Sequence, residues 1–212
     1  GIAALNRWYQ NELNILGVPV HLNSHMDAEK IKALRPDAVI LAVGSTHFMP
    51  KIPGIDHRKT AGCYDVLMKN VKPGKKVVVV GGGMTGAETA VFLAVQGCDT
   101  TIIEMAPDII TDAVAQPKAC LLEHIRKYNT KVHTNCKLTR VGEGTVYAEE
   151  YGEPVEFRHV DMVVNAMGVR SYSPLREELE GCGCKVVVVG DAASAKNGYR
   201  NIREGFDAGN AI

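Results

Sequence analysis

One stretch constrains the fold more than any other: Lys75-Lys76-Val77-Val78-Val79-Val80-Gly81-Gly82-Gly83-Met84-Thr85-Gly86-Ala87-Glu88. Four consecutive valines suit a strand buried on both faces, as in a parallel sheet covered by helices. Gly81, Gly83 and Gly86 follow in G-x-G-x-x-G register. The first glycine of such a run makes a tight turn, the second lets the backbone approach a pyrophosphate, and the third lets a helix pack closely on the strand. The helix that opens there offers free N–H groups and a positive dipole end. Gly81, Gly82, Gly83, Met84, Thr85 and Gly86 are therefore the expected phosphate-binding backbone.

The context agrees with that expectation. Thr85 to Gly97 reads as a helix with a small-residue face at Ala87, Ala90, Val91 and Ala94, and Gly97 near its end. Thr100-Thr101-Ile102-Ile103 reads as a second buried strand, ending at Glu104, 18 residues beyond Gly86. A parallel βαβ unit places there the acid that hydrogen-bonds an adenosine ribose. A carboxylate accepts a 2'-hydroxyl but repels a 2'-phosphate, and Met105-Ala106-Pro107 brings no arginine. The expected ligand is therefore NADH in preference to NADPH.

Composition narrows the class. The 212 residues carry 24 basic and 24 acidic side chains. That balance, with no basic run interleaved with aromatics, gives no reason to expect a nucleic acid or an anionic membrane as partner. No apolar run approaches the roughly 18 residues of a membrane span, and the first residues lack a signal peptide's pattern, so a cytoplasmic location is expected. The six cysteines are scattered, without a C-x-x-C pair or iron–sulfur spacing. Cys182-Gly183-Cys184 is the nearest approach to a paired motif; it reads as two thiols in a glycine-rich loop, with a redox or metal role as the alternative. His21 and His25 lie in an expected strand and turn, where a spacing of four does not build a metal site. No metal ligand and no catalytic acid, base or nucleophile is nominated.

Taken in order, residues 3–16 predict a helix, Val18 to Leu22 a strand, and Asn23 to Ala33 a short strand and turn. Ala38 to Gly44 predicts a buried strand ending in an alanine-x-glycine turn, where a backbone can lie against a cofactor. Pro50 and Pro53 make 45–54 an irregular crossover. A short helix is expected at 63–70 and another at 113–128, with Pro117 in its first turns. Residues 131–135, 137–141, 145–149 and 155–159 read as short strands of an antiparallel meander. Asp161 to Gly168 repeats the pattern of Asp37 to Gly44, which suggests two nucleotide-binding domains of related build. Ser171 to Pro174 is a second crossover. Lys185 to Val189 is a buried strand ending in Gly190-Asp191, followed by a helix from Tyr199. An acid at such a strand tip suits a sugar-like hydroxyl chain, or caps the helix or turn.

These features, with the stretches DAVILAVGS, IPGID, VVVVGGGMTGAETAVFLA and GFDAGNAI, resemble the C-terminal part of 2,4-dienoyl-CoA reductase and related NADH:flavin oxidoreductases of the Old Yellow Enzyme type, a group that includes trimethylamine dehydrogenase. The resemblance implies an α/β fold in which a Rossmann-like NAD(P)-binding domain, residues 47–170, is inserted into an FAD-binding domain, residues 1–46 and 171–212, that lacks its first glycine fingerprint. It implies that Gly44 and Gly168 lie in turns near the cofactors and that Gly190 and Asp191 meet the ribityl or pyrophosphate region of FAD. It also implies an N-terminal TIM barrel with FMN and a 4Fe-4S cluster, outside these residues, where an enoyl-type or related substrate is reduced. The chain is thus expected to be a fragment that binds NADH, passes hydride to FAD in the intact protein, and purifies without flavin colour. A second reading stays open: a non-catalytic module using NAD or ADP as a structural or regulatory ligand. The organic substrate and a homo-oligomeric state are left open by the residues.

Overall fold

The computed structural model of the chain describes residues 2–195 and 197–212. Gly1, the first residue of the partial domain expected over 1–46, lies outside them. The chain divides into two units, residues 1–44 with 172–212, and residues 45–171.

The first unit opens with α1 (Ile2–Ile15) and α2 (Ala28–Leu34), then β1 (Ala38–Leu41). The second runs through β2 (Ser45–His47), β3 (Thr60–Gly62), α3 (Cys63–Leu67), β4 (Lys76–Val80), α4 (Met84–Val95) and β5 (Asp99–Ile103). It continues with α5 (Ala115–Lys127), β6 (Lys131–His133), β7 (Cys136–Gly142), β8 (Thr145–Glu150), β9 (Glu153–Arg158), β10 (Met162–Asn165) and β11 (Val169–Ser171). The first unit then resumes with α6 (Leu175–Glu178), β12 (Lys185–Val188), a 3-10 turn (Gly190–Ala192) and α7 (Gly198–Asn210).

Residues 45–171 are built around a five-stranded sheet in the order β3-β10-β4-β5-β6, parallel throughout. The valine run explains its layers. Alternate side chains of a strand point to opposite faces, so Val77 and Val79 meet Ala87, Ala90 and Leu93 of α4. Val78 and Val80 instead meet Leu138, Val146 and Ala148 of the antiparallel sheet β7-β8-β9. Both sides are dry, which is why the strand has no polar position between Val77 and Val80. The small-residue face of α4 is realised, with Ala87, Ala90 and Ala94 buried and Val91 half-buried. The fold is thus the mixed α/β, Rossmann-like arrangement that the glycine fingerprint implies.

The other unit has its own small core of Ala28, Ile31, Leu41 and Leu179, beneath a parallel pair, β1 with β12.

Four local expectations are corrected. Residues 18–21 are irregular rather than a strand; Val18, Val20 and Leu22 are exposed, and no described strand pairs with them to satisfy their backbone. The expected strand and turn at 23–33 instead contains α2, capped where Lys30 N donates to Asp27 Oδ1 at 2.9 Å, with Ala28 and Ile31 buried three residues apart on one face. The crossover at 45–54 includes β2, which pairs antiparallel with β11. Residues 131–133 leave the meander and join β5 as a parallel edge strand, because α5 is long enough to complete a second βαβ crossover.

Candidate functional site

β4 and β5 pair in register through Val80 and Ile103, so the two strand tips carry Gly81 and Glu104 side by side. Gly81 N donates to Ile103 O at 2.9 Å. The backbone turns at Gly81 with φ +105, a left-handed conformation open to glycine and costly for other residues. A Cβ on Gly81 would strike the Ala166 carbonyl, and one on Gly86 would strike the Gly81 carbonyl. The first and third glycines are therefore required by the protein's own packing. Gly83 differs, because a Cβ there would meet nothing closer than Asp112 Oδ2 at 3.5 Å. Its bareness keeps the cavity mouth open at the start of α4 rather than relieving a clash.

That cavity, about 470 Å³, lies at the carboxyl ends of β4, β5 and β10. From β4 the chain crosses to β5 on one side and later returns to β10 on the other, and open α/β sheets bind ligands where the strand order reverses. Gly81, Gly83, Met84, Thr85, Gly86, Glu104 and Gly168 line it, joined by Phe48, Ile52, Asp112, Lys137 and Met167. Gly82 contributes through its backbone: its N–H donates to Glu104 Oε2 at 2.6 Å. The other Glu104 oxygen, Oε1, accepts from Ala106 N at 2.8 Å. Glu104 is thereby fixed at the strand tip before any ligand arrives, and each carboxylate oxygen retains a lone pair for a further donor.

The segment after β5 straps the glycine turn from the other side. Ile110 N donates to Gly82 O at 2.8 Å, and Met84 N donates to Asp112 Oδ1 at 2.9 Å. Ile110 holds φ +55, a strained value for a β-branched side chain. It is held there by near-complete burial, 1% exposed, in the core beneath α4. Cys136 also lines the cavity. Burial, helped by the Glu150 charge, pushes its thiol up to about 11, so it is a neutral wall at pH 7 and no nucleophile.

Asn165, at the end of β10 and 3% exposed, ties two more walls together. Its Nδ2 donates to Phe48 O at 2.9 Å and its Oδ1 accepts from Met167 N at 3.1 Å. Arg170 stacks on the Phe48 ring, 4.4 Å from its centroid. Sequence reasoning missed Phe48, Asp112 and Lys137, which reach the cavity from segments remote in sequence and carry no spacing signal. Asn165 did stand in the repeated strand-and-turn pattern, where an amide replaces the leucine of Asp37 to Gly44.

Gly44, Gly190 and Asp191 lie in the other unit. Gly44 follows β1 with open space around its α-carbon. Gly190 N donates to Glu204 Oε2 at 2.9 Å, and Asn201 Nδ2 donates to Asp191 Oδ1 at 2.8 Å. α7 thus holds the strand tip by both residues. Among the described residues no group of three His, Cys, Asp or Glu side chains is placed to hold a metal ion, and no helix is long and apolar enough to cross a membrane.

The bilirubin reductase of Mediterraneibacter gnavus (strain CC55_001C) is 34% identical over 207 residues, 97% of this chain and 32% of its own length. The NADH oxidase of Thermoanaerobacter brockii is 34% identical over 204 residues, 94% of this chain and 31% of its own. Among solved structures, a 2-naphthoyl-CoA reductase in complex with 2-naphthoyl-CoA superposes with a TM-score of 0.91 at 29% identity, covering 99% of this chain and 32% of that one. Histamine dehydrogenase from Rhizobium sp. 4-9 shares the fold, with a TM-score of 0.76 at 16% identity over 90% of this chain and 31% of its own. The chain spans about a third of the length of these relatives. The family model for pyridine nucleotide-disulphide oxidoreductases matches residues 15–196, and the chain belongs to that family of NAD(P)H-dependent flavin oxidoreductases.

Proposed function

We propose that residues 47–170 form the nicotinamide dinucleotide site of a flavin-dependent oxidoreductase, and that residues 1–46 with 171–212 contribute to binding its FAD. The observation that carries the reading is the pairing of a left-handed Gly81 turn with Glu104 across one cavity, at the start of a 12-residue helix. The residues fit the group. Backbone N–H groups in the first turn of α4 lack intrahelical partners and favour an anion, Gly83 leaves the approach bare, and Glu104 stands where an adenosine ribose can donate to it. The nicotinamide supplies hydride when bound, and the flavin accepts it. This chain's own residues orient and exclude water: Phe48, Ile52 and Met167 give the cavity apolar walls, held by Asn165. Asp112 already takes the Met84 N–H, so a diphosphate must share or displace that carboxylate. Gly44, Gly168, Gly190 and Asp191 complete the proposed cofactor contacts.

NADH is the proposed form, because Glu104 ends the second strand of the βαβ unit, where a carboxylate accepts a ribose 2'-hydroxyl and repels a 2'-phosphate. Lys137 also lines the cavity and is the residue through which NADPH would gain acceptance if the preference is weak. In the whole protein we infer that electrons pass to an N-terminal module with FMN and a 4Fe-4S cluster, which reduces an enoyl-type or related substrate; that two of the relatives above are named as reductases supports a reducing role. A cytoplasmic location belongs to the same reading. The test is titration of the chain with NADH and NADPH, followed by protein fluorescence. Roughly tenfold tighter NADH binding is expected, reversed or erased in Glu104→Arg as repulsion of the 2'-phosphate is removed. Equal affinities in the parent chain, unchanged by the substitution, sink the assignment.

A further inference from the structure

Cys182 and Cys184 flank Gly183 just before β12, in the unit that does not contain the dinucleotide cavity. Two residues of extended chain span at most about 7 Å, and the turn at Gly183, φ +83, shortens that reach. That spacing approaches the roughly 4.4–6.8 Å between α-carbons that a disulfide accepts. The Cys182 thiol is directed at the Cys184 carbonyl, 3.9 Å away. Both side chains are half-buried and both line a cavity of about 290 Å³. Lys32 and Arg35 line the same cavity, with Asp37 as its acid. Lys32 also lies 3.3 Å from Glu29 on the helix surface, so Arg35 brings the less compensated charge.

We propose that Cys182 and Cys184 are a redox-active dithiol that exchanges with small anionic disulfides held by Lys32 and Arg35. The Cys182 thiolate attacks one sulfur of the ligand; that S–S bond breaks and the first thiolate leaves. The Cys184 thiolate then attacks Cys182, and the second thiolate leaves. Two electrons pass from the pair to the ligand, the pair's two protons go to the leaving thiolates, and one intramolecular disulfide remains. A disulfide closed over one intervening residue is strained and so readily reduced again, which suits transfer of oxidising equivalents rather than structural cross-linking.

The other thiols give contrast. Burial pushes Cys63, Cys98 and Cys136 up. Cys182 is drawn down, chiefly by its hydrogen bond with the Cys184 thiol, with Lys32 acting in the same direction. Both thiols line the cavity that Lys32 and Arg35 also line; Cys182 is assigned as the attacking group and Cys184 as the resolving one.

The experiment treats the reduced 212-residue chain with glutathione disulfide, quenches in acid, and maps every cysteine by mass after alkylation. A Cys182–Cys184 disulfide is expected in the parent chain, and Cys184→Ser is expected to stop at glutathione attached to Cys182. Cys120, exposed on α5 with His124 Nδ1 3.7 Å from its sulfur, is the internal comparison: with no second thiol two residues away it should hold glutathione as a mixed disulfide, which Cys182 in the parent chain should not. Combining Lys32→Ala with Arg35→Ala should slow the reaction with glutathione disulfide and leave that with neutral bis(2-hydroxyethyl) disulfide unchanged. A mixed disulfide that persists on Cys182 in the parent chain, or Cys184 remaining as reactive in Cys182→Ser, would each overturn the proposal. Thermal unfolding of the serine variants separates loss of chemistry from loss of fold.

Discussion

At the scale of single residues, the fingerprint glycines divide by what they serve. Gly81 and Gly86 are demanded by the fold, since a Cβ at either would meet a carbonyl oxygen of the same packing layer. Gly83 is demanded by nothing the protein itself places there, so its bareness points to a ligand. Gly86→Ala should therefore cost about 1–3 kcal/mol by overpacking and loosen NADH binding as the turn shifts; a variant with the parent's melting temperature and NADH affinity would contradict this. Glu104 was legible from its distance beyond Gly86, yet its two bonds to Gly82 N and Ala106 N were not. Those bonds make it a brace of the turn as well as a candidate ribose acceptor. Ile110 went unnoticed in the sequence because nothing local marks an isoleucine for φ +55; burial against α4 imposes it.

At the scale of elements, the sheet's edges and junctions carry information that periodicity lacks. Asp161 precedes β10 and accepts from the backbone N–H groups of Lys75 and Lys76, each at 2.9 Å, while its own N–H donates to Lys76 O. This clasp sets β10 beside β4. The Lys76 N–H, with that of Lys75, holds the Asp161 carboxyl below the usual carboxylate range despite partial desolvation. A carboxylate whose folded-state pKa is depressed stabilises fully above its unfolded value. That contribution is lost as pH falls through the folded value, from about pH 4 downward. Asp161→Ala should lower the melting temperature at pH 7 and flatten its decline in acid. Parallel melting curves against pH for parent and variant would refute the clasp. The short pair β2 with β11 is a different lesson: each strand has three residues, too few for a pattern, and they exist because the two crossovers run side by side.

At the scale of the molecule, every residue lining the cavity proposed for the dinucleotide falls between Phe48 and Gly168, inside one unit with a core on each face of its sheet. Residues 45–171 expressed alone should therefore unfold cooperatively and bind NADH as the full chain does; a non-cooperative transition or lost binding would show that the site needs the remainder. What the sequence determined by itself was the local chemistry: the valine strand, the glycine turn, the helix with a small-residue face, the acid at the second strand tip, and the α/β class that follows from their order. These are legible because each depends on neighbours a few residues away, through backbone sterics, hydrogen-bond caps and side-chain period. Tertiary structure alone decided that residues 131–133 join the parallel sheet, that residues 18–22 join no described strand, and that Phe48, Asp112 and Lys137 meet at one cavity. Such meetings join segments far apart in sequence and are selected by packing of whole layers, a physical cause that leaves no periodic trace along the chain.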